Sequence, residues 1–156
     1  MTIQVDTREK ARAITKVLAE FKKQGIVHIS SKLYVGDYMN LANPMVVIDR
    51  KQNLLEVSTN LIQQHDRFLN EIRRANTAGI KIIFLVEHGY GIKSLDDVKE
   101  WQNPRLNESK FAVSGERLHK MISMLIANKG VEFVFCDKHQ TGAKIIELLE
   151  VQNCKN

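Results

Sequence analysis

The feature that most constrains this chain is the run Met45-Val46-Val47-Ile48, which passes without interruption into Asp49-Arg50-Lys51. Four consecutive apolar residues ended by charge read as a strand covered on both faces. Side chains alternate along a strand, so Asp49 and Lys51 share one face while Arg50 points to the other. A carboxylate and an ammonium therefore emerge together at the end of a buried element.

The rest of the chain supplies what would cover such a strand. Residues 2–6 read as a short strand, followed by a helix over 9–24. In that helix Ile14, Val17, Leu18 and Phe21 keep helical spacing and Gly25 supplies a stop. Residues 26–29 can form a second strand. Residues 33–41 and 45–50 flank Asn43-Pro44 and predict an antiparallel hairpin. A long helix follows over 61–78, with Leu61, Phe68, Leu69 and Ile72 inward, then a buried strand over 80–87. Ser94-Leu95-Asp96-Asp97 resembles a capping box opening a short helix to 101, and 102–114 is polar and irregular. A helix over 115–128 carries Leu118, Met121, Ile122, Leu125 and Ile126 on one face. A last strand over 131–136 and a helix from Thr141 to about residue 151 complete the pattern. The fold class is α/β, a mixed central β-sheet flanked by helices. With 156 residues the chain fits one domain, over 1–150, with a polar tail at 151–156.

Several classes drop out. Cys136 and Cys154 are the only cysteines, which is neither a disulfide framework nor a zinc pattern and fits a reducing cytoplasm. The N-terminal segment has no apolar signal core, and no stretch approaches the ~20 apolar residues of a membrane span. A net charge of +5, from 23 Lys and Arg against 18 Asp and Glu, suits a polyanionic partner.

Chemistry gathers where acids end apolar strands. Asp6 closes the first, Asp37 lies in Gly36-Asp37-Tyr38 on one hairpin arm, and Asp49 ends the other. Pairing of the arms brings Asp37 beside Asp49. Two carboxylates with the backbone carbonyl of Arg50 make an all-oxygen site for Mg2+ or Mn2+, not for zinc. Lys51, two residues from a metal carboxylate, is placed to orient a water or offset charge on a phosphate. Against this stands the plainer reading that an acid at a strand end is a solvated turn residue.

At Val5-Asp6-x-Arg8-Glu9, Gly36-Asp37-Tyr38 and Val47-Ile48-Asp49-Arg50-Lys51 the chain resembles the XPF family of structure-specific endonucleases. That family carries V-D-x-R-E, G-D-Y and V-E-R-K in this order and at similar intervals. Asp66-Arg67-Phe68 and Glu71 also sit where the family has an Arg-aromatic helix. The resemblance implies a restriction-endonuclease-like fold, metal-dependent cleavage of branched, flapped or junction DNA, and a homodimer. It implies Asp37 and Asp49 as metal ligands, Lys51 as the catalytic lysine and Asp6 as a helper of the ion. It implies Arg8 and Glu9 as organisers of the site and Arg50 as a structural brace. Asp49 stands where the family has Glu, and Leu55 where it has an acid, Glu56 being the nearest. A compact domain without helicase or helix-hairpin-helix regions suits a phage or prophage module.

Lys10, Arg12 and Lys16, and Arg67, Arg73 and Arg74, are candidates for DNA phosphate contacts or simply solvated helix faces. His65, His119 and His139 lack partners at ligand spacing, and Gly89-Tyr90-Gly91 lacks the Lys-Ser/Thr of a phosphate loop. Residues 102–114, which with Trp101 include Arg105 and Lys110, are either a mobile DNA-facing loop or disordered without function. Two functions remain: a metal-dependent DNA endonuclease, or a catalytically silent DNA-binding or dimerisation subunit of the same family.

Overall fold

A computed structural model describes residues 1–89 and 91–151. The elements are β1 (Thr2–Val5), α1 (Thr15–Lys23), β2 (Val27–Ser30), β3 (Tyr38–Asn40), β4 (Asn43–Lys51), α2 (Leu54–Ile62), α3 (His65–Thr77) and β5 (Lys81–Glu87). Two short 3₁₀ turns at Asp96–Glu100 and Pro104–Asn107 precede α4 (Gly115–Lys129), β6 (Glu132–Cys136) and α5 (Thr141–Val151). The expected tail from residue 152 onward, with Cys154, lies outside the described residues, as does Tyr90.

Six strands form one mixed sheet in the order β2-β1-β3-β4-β5-β6. β3 pairs antiparallel with both β1 and β4, whereas β4, β5 and β6 run parallel. β4 is therefore central. Val47, Ile82, Phe84 and Val86 pack into one core with residues of α2, α3 and α4. Val46, Ile48, Ile83 and Leu85 pack into the other, with α1 and α5. Helices thus cover both faces, as a continuously apolar strand requires.

Three expectations are corrected. The helix expected over 9–24 begins only at Thr15. Before it the Asp6 carboxylate accepts from the backbone N–H of Arg8 at 2.8 Å, and a local side-chain bond of this kind competes with helix formation. The helix expected over 61–78 begins only at His65, and a separate helix, α2, which the sequence reading did not place, precedes it over Leu54–Ile62. Asn53 caps α2 by accepting from Glu56 N at 2.8 Å, and the break near Gln63 lets both apolar faces reach the sheet. The extended arm expected over 33–41 is a strand only at Tyr38–Asn40. Gly36, at φ 73°, turns the chain instead.

Candidate active site

The end of β4 sorts its three charges as strand alternation demands. Asp49 and Lys51 turn toward the α2–α3 side, with Lys51 Nζ 2.7 Å from Asp49 Oδ1. Arg50 turns to the other face, where Nε and Nη2 bind Glu9 at 3.0 and 2.8 Å and Nη1 binds Glu87 at 3.1 Å. The backbone of Arg50 stays with the cleft: its N–H donates to Asp37 Oδ2 at 2.8 Å.

Asp37 arrives from the turn before β3, held by its own N–H on Ile48 O at 2.8 Å. Asp37, Asp49, Lys51 and Arg50 line one cleft of about 240 Å³ together with Arg8, Glu9, Lys10, Gln52, Glu56, Arg67 and Glu71. Burial, then the Asp49 and Glu9 charges, push the Asp37 carboxyl well above the usual aspartate range. Burial likewise raises the Asp49 carboxyl, against the pull of Lys51. Burial works against the Lys51 ammonium too, but the charges of Asp49 and Asp37 outweigh it and raise its pKa. The ammonium sits 5.6 Å from the ring centroids of both Phe68 and Phe84, a cation–π cradle that fixes its position.

This donor set fits a hard divalent cation. Asp49 Oδ1 is buried and faces the Lys51 ammonium at 2.7 Å. A desolvated carboxylate oxygen beside a second desolvated carboxylate is stabilised by a cation between them. Among the described residues no three His, Cys, Asp or Glu side chains are grouped to hold an ion. The Asp37–Asp49 pair would therefore need main-chain oxygen and water to complete a shell.

The other expected residues divide. Arg8, Glu9, Lys10 and Arg67 line the cleft. Asp6 does not. It is almost wholly buried and accepts from Arg8 N, Arg8 Nε, Arg8 Nη2 and Leu33 N at 2.8, 2.6, 3.2 and 2.6 Å. The geometry makes it an anchor for the turn that carries Arg8 and Glu9, whereas the resemblance implied a helper of the ion or its water shell. Arg12 lines an adjoining hollow that shares Ala13, Arg50 and Gln52 with the cleft and includes Lys16 and Lys138, while Arg74, 5.6 Å from the Tyr34 ring, is not among the residues lining the cleft. Glu87 escaped the sequence reading, although an acid closing an apolar strand is the same signal that marked Asp49. Glu71, which lines the cleft and accepts from Gly36 N at 3.3 Å, had only its place in a resembling helix to mark it.

A family model described as the ERCC4 domain matches residues 5–149. The chain belongs to the ERCC4-domain family. Among solved structures, XPF from Aeropyrum pernix superposes on this ERCC4 domain with a TM-score of 0.70 at 17% identity, covering 99% of this chain and 66% of that one. XPF from Aeropyrum pernix in complex with DNA gives a TM-score of 0.67 at 19% identity, covering 97% and 64%. At such identities the likeness is one of fold, and this ERCC4 domain spans slightly less than two thirds of either chain. No curated protein matches it. The likeness to XPF-type nucleases drawn from three motifs thus holds for family and for the restriction-endonuclease-like fold. No helix among the described residues is long and apolar enough to cross a membrane.

Proposed function

We propose that this ERCC4 domain is a divalent-metal-dependent DNA endonuclease that hydrolyses phosphodiester bonds in branched, flapped or junction DNA. The observation that carries the reading is the meeting of two desolvated carboxylates, Asp37 and Asp49, with the buried Lys51 ammonium in one cleft. Asp37, Asp49 and the Arg50 carbonyl would hold Mg2+ or Mn2+. When bound, such an ion supplies Lewis-acid polarisation of the phosphodiester and of water.

The chain's own residues do the rest. Lys51, held over two aromatic rings, donates hydrogen bonds to the attacking water or to a phosphoryl oxygen and offsets charge growing there. Arg50 fixes the main chain under Asp37, and Glu9 fixes Arg50. Arg8, Lys10 and Arg67 on the cleft walls draw the phosphate backbone in. DNA as substrate is supported by the matched XPF complex with DNA, and branched DNA and a homodimer by the three-motif resemblance. A role in repair or recombination follows from the same likeness, and a cytoplasmic setting from the sparse cysteines.

The test is cleavage of labelled fork, flap, junction and linear DNA with Mg2+, Mn2+ or EDTA. Wild-type protein should cut with either metal and not with EDTA. Asp49→Asn and Lys51→Ala should each lose at least about 100-fold in rate. Binding without cutting on every DNA would instead identify a silent subunit, a reading that the retention of Asp37, Asp49 and Lys51 disfavours.

A further inference from the structure

A second hollow adjoins the cleft along α2. Gln52 and Glu56 line both the cleft and a shallow neighbour that also includes Thr59 and Arg105. Thr59 and Arg105 in turn line a third hollow, of about 440 Å³, bordered by Phe111. Sharing these residues, the three hollows form a row along α2. From Glu56 to Ile62 the row follows α2 for six residues, about 9 Å at helical rise. That is roughly two or three nucleotides at the spacing of a stacked strand.

The far end has the composition of a nucleobase platform. Phe111 is 83% exposed, the most exposed large apolar side chain in the protein among the described residues. Lys110 Nζ lies 5.3 Å from its ring centroid. A lone exposed apolar residue is unremarkable on a protein surface, but this one borders a groove that starts at the proposed catalytic residues. Its loop is held rather than loose: Asn103 is buried, donates through Nδ2 to Val113 O at 2.9 Å and accepts from Arg105 N at 3.0 Å. Arg105 supplies the positive charge on the groove wall, and Glu56 and Glu108 are its acids.

We propose that this groove is a subsite for a single-stranded DNA segment leaving the scissile position, with one base stacked on Phe111 and a phosphate near Arg105. The proposal rests on the nuclease reading above. An exposed aromatic ring beside a basic side chain binds unpaired bases without sequence preference, because every base has a face to stack. Paired bases have no free face, so the subsite favours DNA with an unpaired arm.

The experiment measures binding of the full chain, in EDTA, to a labelled fork with single-stranded arms and to a blunt duplex of matching sequence. Phe111→Ala should bind the fork about ten-fold more weakly and the duplex as wild type does, with an unchanged melting temperature; loss of a stacking aromatic costs roughly five- to hundred-fold. Phe111→Trp should keep fork affinity, and its indole emission should be quenched by oligothymidylate. Equal fork binding by Phe111→Ala and wild type, or emission indifferent to oligothymidylate, overturns the subsite while leaving the nuclease reading intact. A wild-type protein that neither binds nor cuts any DNA overturns both.

Discussion

The backbone N–H of Arg50 donates to the Asp37 carboxylate on one side of β4, while its guanidinium grips Glu9 and Glu87 on the other. One residue therefore links the scaffold of the α1–α5 face to the floor of the cleft. Any change in what holds the guanidinium reaches Asp37 through the main chain.

Glu87 is the sharpest test of that link. It is buried, accepts from Arg50 at 3.1 Å and from Thr141 Oγ1 at 2.9 Å, and does not line the cleft. Glu87→Gln keeps the shape and removes the charge facing Arg50. Its kcat for DNA cleavage should fall about ten-fold with KM nearly unchanged, and its Tm should drop by about 2–4 °C, equivalent to roughly 1 kcal/mol. Wild-type kcat in this variant would remove Glu87 from any positioning role.

In the proposed metal site, Asp37 is expected to trade stability for the ion. Burial and the neighbouring Asp49 charge both disfavour its carboxylate. Asparagine can still accept the Arg50 N–H through its amide oxygen. Asp37→Asn should therefore melt about 2–4 °C higher than wild type in EDTA while losing cleavage. Added Mg2+ or Mn2+ should stabilise the wild type, by about 2.7 kcal/mol at a hundred times the Kd, and leave the variant unmoved. Thermal melts with and without EDTA decide this, and a variant that melts below wild type in EDTA would contradict it.

Asp6 should govern part of the acid limb of stability. Burial disfavours its carboxylate, but the side-chain bond from Arg8 and the N–H groups of Leu33 and Arg8 outweigh burial and hold the pKa below the ordinary value of 3.8. The carboxylate thus stabilises the fold above that ordinary value, and the contribution disappears as pH falls through the lower folded value. Asp6→Asn should cost about 2 kcal/mol at neutral pH and flatten the acid side of the stability curve. Urea midpoints across the acid range measure it; a curve parallel to wild type would refute the assignment.

Gly36 is required twice over. Its φ is 73°, and an added Cβ would lie 3.0 Å from Val47 Cβ and 3.2 Å from Ile48 O. Gly36→Ala should therefore push the Asp37 turn off β4, lowering stability by about 2 kcal/mol and cleavage along with it. A variant that cuts and melts like wild type would show that β4 yields freely there.

The sorting of Asp49, Arg50 and Lys51 was readable because strand alternation is a property of the local chain. The approach of Asp37 followed from the hairpin, since Tyr38 pairs with Ile48 in the antiparallel ladder. The helix over 9–24 failed because nothing in its apolar spacing reports that Asp6 would capture the Arg8 N–H. The helix expected over 61–78 starts only at His65, and α2 before it went unread although Asn53 and Glu56 stand at capping spacing. Glu87, Glu71 and the groove toward Phe111 come together across 30 or more residues of sequence or from separate elements, beyond the reach of any local pattern.

By itself the sequence determined the order of the strands, the mixed sheet, and which face each charge at the end of β4 would take. Those follow from backbone periodicity and from the hydrophobicity of neighbouring residues. Tertiary structure alone decided which acids lose their water, that Asp6 braces a turn while Asp37 and Asp49 face a cleft, and that Lys51 rests on Phe68 and Phe84. Desolvation and charge coupling depend on what packs over a group, and that is settled by residues distant along the chain.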